Sequence, residues 1–489
     1  MSNFFEIKLK HFQAWVETEV DHKELFIYNT VIMIDKKVIK ELKKSLGKQK
    51  VFSEKEYLIT YSYDATGMES LPDLVVFPEI EKDIEQLLRI AYKCKIPITP
   101  RGAGVGFSGG SIPFKGGIAV VFTRMNKILS IDTENFLAEV EPGVVTEHLQ
   151  QEVEKKGLFY PPDPASLKTS TIGGNVGENA GGLRCYKYGV TGNYVVAIEA
   201  FLMNGEKIRA GSQVIKDVAG YDIKSLLVGS EGTLAVISKI FLKLVPLPQH
   251  RVLFQVDFKS LRSGAEFINK MIKSNVYPSV LEFMDKSSIS AAYQYLGIPL
   301  NKAINASVII EIDGNRIDVE ERKNKFLEIV KNAEMIQYNT ANTETEQEEL
   351  WNIRRNISPA IAKLKPKKIN EDIVVPTGKI PDTVEFINHL ATEHDLTIIL
   401  FGHLGDGNIH TNLMVDPANK DEMARAEKVL DKIFRYVVSL NGSISGEHGI
   451  GITKKPFMKY QFNSIEMEVF KKIKQAFDPE NLLNPGKIF

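Results

Sequence analysis

The sequence predicts a multidomain protein of the mixed helix-and-strand class, and three observations predict it. The chain has 489 residues, which at roughly 150 residues per domain holds two or three domains. Hydrophobic residues make up 43% and charged residues 25%, the balance of an ordinary globular protein with no run apolar enough for a transmembrane helix. Short strand-like runs and runs of helical period follow one another along the chain, and Pro246 and Pro248 mark a boundary near residue 247.

Taken in order, residues 1–33 form an N-terminal extension with no functional reading. KKVIKELKKSLGKQK reads as an amphipathic helix with Val38, Ile39, Leu42 and Leu46 inward and its lysines solvated. LVVFP is a strand, EIEKDIEQLLRIAYKCK a helix and IPITP a strand. Glycines then cluster in blocks at 102–117 and 173–192, with the strands GIAVVF and VVAIEAFLM among them. Beyond 247 the strands VLFQVDF, ASVIIEID and LTIILFGHL alternate with the helices SGAEFINKMIKS, VEERKNKFLEIVKN and KDEMARAEKVLDKIFRYVVSL. That texture suggests an antiparallel sheet covered on one face. The last helix stops at Asp478–Pro479. The expected domains are therefore 34–247 and 248–489.

Composition excludes several classes. Sixty-one Lys and Arg against 62 Asp and Glu leave a net charge of −1, so no global field steers the protein toward nucleic acid. Two cysteines, Cys94 and Cys185, make neither a disulfide scaffold nor a self-contained iron–sulfur cluster. MSNFFEIKLKHF lacks an uninterrupted signal-peptide core. The expected location is the cytoplasm, at most peripheral to the inner face of a membrane.

The first glycine block is Pro100-Arg101-Gly102-Ala103-Gly104-Val105-Gly106-Phe107-Ser108-Gly109-Gly110. Gly104, Gly106 and Gly109 spell a formal GxGxxG, but a Rossmann turn must open a helix, and SIPFKGGIAVVF cannot start one. The other reading is a loop whose backbone N–H groups cradle an anion. The second block runs from Pro161-Pro162-Asp163-Pro164 through Thr169-Ser170-Thr171-Ile172-Gly173-Gly174-Asn175 to Gly181-Gly182. It offers hydroxyls and amides beside bare backbone, the mixture a polar-edged heterocycle with a diphosphate needs.

RGAGVGFSGG, PPDPASLKTSTIGGNVGENAGG, DVAGYDIKSLLVGSEGTLAVI and NLLNPGK together resemble the FAD-binding domain of the vanillyl-alcohol-oxidase-type (PCMH-type) flavoproteins. Within them the chain is similar to the D-lactate dehydrogenase, glycolate oxidase D-subunit and D-2-hydroxyglutarate dehydrogenase group. The resemblance implies an α+β fold, with a two-part FAD-binding domain followed by a ferredoxin-like cap. It implies that Arg101, Gly102, Ala103, Gly104, Val105, Gly106, Ser108, Gly109, Pro162, Asp163, Thr169, Gly173, Gly174, Asn175 and Gly182 bind FAD. Glu231, Gly232 and Ile237 would help hold it, and Asn484 would reach back to it from the tail. No histidine lies between His22 and His148, so FAD would be bound without a covalent link.

Of nine histidines, His389 and His394 read as surface residues. His403-Leu404-Gly405-Asp406-Gly407-Asn408-Ile409-His410 reads as two strand ends joined by a turn, which would set the two histidines opposite each other. Ser445-Gly446-Glu447-His448-Gly449 adds a carboxylate and an imidazole. Two histidines and a glutamate make an open site for Zn²⁺, Mn²⁺ or Fe²⁺, against the plainer reading of a polar hairpin and an unrelated loop. The family resemblance implies that His403, His410 and Glu447 are metal ligands and His448 the general base. It also implies that Arg354 binds the substrate carboxylate, with Ser358 one turn on; Asn412 shares a strand face with His410. Relatives acting on long dicarboxylates carry a lysine where this chain has Asn370, which points to D-lactate or glycolate.

The expected activity is oxidation of a small (R)-2-hydroxy acid with FAD and a divalent metal. With no internal relay, electrons would leave to an iron–sulfur subunit, a quinone or a cytochrome. The alternatives are a D-2-hydroxyglutarate dehydrogenase, a non-redox flavin enzyme, or a non-catalytic subunit. An oligomer is compatible with all of them.

Overall fold

The structure is a computed structural model describing residues 34–489; the N-terminal extension expected over 1–33 lies outside the described residues. The amphipathic helix forms at Lys36–Leu46, where the Asp35 carboxylate accepts from Lys37 N, and it buries Leu42 and Leu46. Lys50, read as part of the same solvated face, turns inward instead and holds Asp83 at 2.7 Å.

Four strands make the first sheet: β1 (Val51–Phe52), β2 (Leu74–Val76), β3 (Ile98–Arg101) and β4 (Ile118–Val121), in the order β1-β2-β4-β3. β2, β4 and β3 run parallel. The helix Glu81–Cys94 connects β2 to β3 and buries Ile84, Leu87, Leu88 and Ala91. β3 passes straight into the first glycine block and β4 follows with no helix between them, so no Rossmann turn forms.

The second sheet is antiparallel, ordered β5 (Ile128–Asp132), β6 (Leu137–Val140), β10 (Val236–Lys243), β8 (Val195–Phe201), β9 (Lys207–Gly211). A two-strand ladder, β7 (Leu158–Phe159) with β11 (Val245–Pro246), closes this half. The second glycine block contains a short helix, Ile172–Glu178, whose first turn is capped by Thr171 Oγ1 on Gly174 N. Its glycine at 173 is steric: a Cβ there would lie 2.6 Å from Pro142 Cβ.

The third sheet has seven antiparallel strands: β12 (His250–Phe258), β13 (Val280–Asp285), β14 (Ala306–Gly314), β15 (Gln337–Ala341), β16 (Lys367–Val374), β17 (Thr397–Gly402) and β18 (Asn408–Val415). Their order is β15-β12-β14-β13-β17-β18-β16. The sheet was expected to be covered on one face, and both faces are covered. Val252, Phe254 and Val256 enter one core while Leu253 of the same strand enters another. Alternate residues of a strand point to opposite faces, so a strand apolar at both parities needs cover on both.

The final helix, Ser464–Phe477, starts on a capping box of Asn463 and Glu466. The tail beyond it crosses to the first sheet, where Leu482 and Leu483 join its core and Leu482 O accepts from Ile98 N. No helix among the described residues is long and apolar enough to cross a membrane.

Candidate active site

The hairpin of β17 and β18 carries the two histidines, though not as mutual cross-strand partners. The register pairs His410 with Phe401, and His403 lies beyond the end of β17, inside the turn. The turn folds tightly: Asn408 N donates to His403 O, and a Cβ on Gly407 (φ +86°) would lie 2.1 Å from Val375 O. The imidazoles converge all the same, Nε2 to Nε2 at 3.4 Å. Glu447 Oε1 completes a triangle, 3.5 Å from His403 Nε2 and 3.3 Å from His410 Nε2.

A tetrahedral cation with bonds of about 2.0–2.1 Å has ligand–ligand edges of about 3.3–3.4 Å. The three atoms therefore fit one divalent ion. Burial drives the His410 pKa down to about 3, so the ring stays neutral and able to ligate. Burial would raise the Glu447 carboxyl, but the neighbouring His403 above all holds it down at about 2.

Two carboxylates that the sequence reading did not single out organise this centre. Glu282, on β13 and fully buried, lies with Oε1 2.5 Å from His403 Nδ1 and accepts from Arg354 Nε at 2.6 Å. Burial opposes its charge, but His403 and Arg354 beside it bring its pKa to about 2. Asp372, on β16 and cross-strand from His410, accepts the N–H groups of Gly446, Glu447 and His448 at 2.8, 2.6 and 3.0 Å. It also pairs with the buried Lys454.

His448 sits over this anchor. Its ring stacks 5.4 Å from that of His410 and lies tilted 5.2 Å from Phe107, with Nδ1 3.4 Å from Asp372 Oδ1. Burial lowers its pKa against the pull of Asp372, leaving a neutral imidazole. From the other side Glu231 accepts Ile450 N and Gly451 N, each at 2.7 Å. The loop is thus pinned between the third sheet and the glycine-rich half.

Arg354 is buried, with its guanidinium 4.8 Å from the Phe401 ring centroid. Ser358 belongs to the next short helix, Ile357–Ile361, rather than to the arginine's own, and its Oγ accepts from Lys368 Nζ at 2.9 Å. Asn412 is buried with Oδ1 unpartnered among the described residues. Asn370 faces it across the ladder, and Lys368 follows two residues earlier on the same strand face. A lysine therefore stands on this wall even though Asn370 occupies the position where one was sought. Its ammonium lies 5.3 Å from the Phe107 ring.

A cleft joins both glycine blocks to Glu447 and His448. Of the residues expected to hold FAD, it is lined by Arg101, Gly102, Ala103, Gly104, Val105, Gly106, Gly173, Gly174, Asn175, Glu231, Gly232 and Ile237. The others stand behind it. Ser108 Oγ accepts Gly110 N, and Gly109 packs beside Met68 and Ile452. Pro162 O accepts from Gln150, and Thr169 Oγ1 donates to Ser166 O. Asp163 is committed to Arg184, which also reaches Glu311 of the third sheet, and Gly182 backs onto Asp163 O. Asn484 does not face the cleft: its Nδ2 donates to Gly110 O and Glu231 O at 2.8 and 2.7 Å, clipping two cleft segments together.

His389 is exposed as expected, but His394 is half-buried, with Nε2 2.8 Å from Lys432 Nζ. Sequence reading also passed over Lys454, Lys368 and Glu178. The signal available for Glu282 and Asp372 was an acid inside an otherwise apolar strand, LEFMD and EDIVV, since a buried charge requires partners.

Residues 247–488 match the family model described as FAD linked oxidases, C-terminal domain, and residues 72–211 match FAD binding domain. Glycolate oxidase subunit GlcD of Bacillus subtilis (strain 168) is 42% identical over 94% of this chain and 97% of its own length. D-lactate dehydrogenase of Anaerostipes hadrus is 34% identical over 85% of this chain and 89% of its own. The solved structure of p-cresol methylhydroxylase with substrate bound superposes with a TM-score of 0.78 at 16% identity, covering 92% of this chain and 96% of that one.

Proposed function

The chain belongs to the FAD-linked oxidases of the glycolate oxidase and D-lactate dehydrogenase type, and from that premise we propose that it oxidises a small 2-hydroxy acid, (R)-configured D-lactate or achiral glycolate, to the 2-oxo acid. The observation that carries the reading is the triangle of His403, His410 and Glu447 with His448 stacked beside it, at the end of the cleft that the glycine blocks line. When bound, a divalent metal in the triangle would acidify the substrate hydroxyl, and FAD would accept the hydride from C2.

The protein's own residues do the rest. Arg354 lies beside the triangle through their shared partner Glu282 and supplies a planar cation for the substrate carboxylate. His448, neutral by burial, takes the hydroxyl proton. Asp372 and Glu231 fix the loop that carries it, so base and ligand keep one spacing. Asn412, buried with an open oxygen, is available to a substrate donor.

Lys368 supports a second reading. An ammonium beside Ser358 and Phe107 suits an acid with a second polar or anionic end, as in D-2-hydroxyglutarate. Two cysteines cannot carry electrons onward by a cluster, so a separate acceptor, whether an iron–sulfur subunit, a quinone or a cytochrome, completes the cycle. GlcD is itself named as a subunit, which supports a partner here. Steady-state assays with an artificial dye acceptor test the reading. Turnover of a D-acid or glycolate but not L-lactate supports it, and no turnover with any 2-hydroxy acid overturns it.

A further inference from the structure

Glu178 is a half-buried residue with one carboxyl oxygen sealed from solvent. It ends the short helix Ile172–Glu178 and lines the same cleft as the glycine blocks and His448. Within the described residues its carboxyl makes no hydrogen bond, and Oε2 is sealed from solvent without a partner. A buried carboxyl with no partner costs stability, unless a bound molecule supplies one.

The neighbours say which part of a ligand that would be. A Cβ on Gly110 would lie 2.8 Å from Glu178 Oε1, and one on Gly449 would lie 2.1 Å from Oε2. The carboxyl is therefore wedged between the first glycine block and the residue that follows His448. That is the end of the cleft where a hydride must pass, so the redox ring lies here rather than the diphosphate.

We propose that Glu178 is a direct contact of bound FAD, its carboxyl donating a hydrogen bond to an acceptor atom of the isoalloxazine ring. Donation requires the acid form, and the surroundings hold it there. Burial raises the pKa, and Glu231, Asp64 and Asp372 raise it further against the smaller opposing pull of Lys454; Lys487 faces the same cluster. Reduction adds negative charge to the ring, so a donor binds the reduced form more strongly and raises the flavin's midpoint potential. The inference rests on FAD as the cofactor with its ring at the His448 end, and not on which acid is oxidised.

The test is an anaerobic dithionite titration of the FAD-loaded full chain against an indicator dye at pH 7, so a wrong substrate assignment does not touch it. Glu178→Leu should lower the ratio of reduced to oxidised flavin at a fixed ambient potential by tenfold or more, about 30 mV for two electrons. A smaller change overturns the proposal. Glu178→Gln keeps an N–H donor of the same shape and should stay within tenfold of the parent. Should the leucine variant not fold, the glutamine variant decides alone. A rise above tenfold means that Glu178 is ionised in the parent, a fall beyond tenfold means that it acts through packing, and either result overturns the assignment.

Discussion

The carboxylate of Glu282 lies 2.5 Å from Nδ1 of His403, which leaves Nε2 of that ring pointing at His410 and Glu447. A carboxylate on the far nitrogen of a ligating imidazole fixes its tautomer and raises its basicity, and losing it weakens metal binding roughly 10–100-fold. Glu282→Gln should show that loss in a competition titration against a chelator, with the glycine-lined cleft intact. Unchanged affinity would count against His403 as a ligand.

Asp372 and Lys454 are both buried and paired. Removing one partner of such a pair strands the other charge, at a cost of about 3–5 kcal/mol. Asp372→Asn and Lys454→Met should each fall in urea-measured stability by that order, and the double variant by clearly less than the sum. Additive losses would show that the pair is not coupled.

Glu371 gives stability a pH dependence. Burial raises its folded pKa from 4.5 to about 7, against the opposing pull of Lys454. The fold therefore favours the protonated acid: the stabilisation is complete below the unfolded value of 4.5 and is lost as pH rises through about 7. Glu371→Gln should gain on the parent over that window, by on the order of 3 kcal/mol. Parallel pH–stability curves for the two proteins would contradict this.

His448→Ala should retain FAD and metal while losing reduction of the flavin by substrate, by roughly 10²–10⁴-fold in the single-turnover rate. Undiminished reduction in stopped flow would remove it as the base.

Much of the site was legible because its chemistry sits in short local runs. HLGDGNIH and GEHG each place ligands within a few residues, and the glycine blocks declare themselves by density. What escaped reading was held at a distance. Glu282 is 121 residues from His403 and 72 from Arg354, and Asp372 is 76 from His448. No periodicity joins such positions; only the order β13-β17-β18-β16 brings them to one place. The hairpin misled in a smaller way, since the turn takes up His403 and shifts the pairing to Phe401. For the third sheet, the interleaving of strands with helices was read as one covered face, whereas both parities of β12 are buried.

In the proposed reaction the triangle and His448 act together on a 2-hydroxy acid beside FAD. Anaerobic absorbance titration of the FAD-loaded chain with D-lactate, glycolate, D-2-hydroxyglutarate and L-lactate, before and after chelation, tests it most directly. One of the first three should bleach the flavin band, L-lactate should not, and chelation should abolish the bleaching. A flavin band that no hydroxy acid bleaches, or bleaching that survives complete removal of metal, would contradict it.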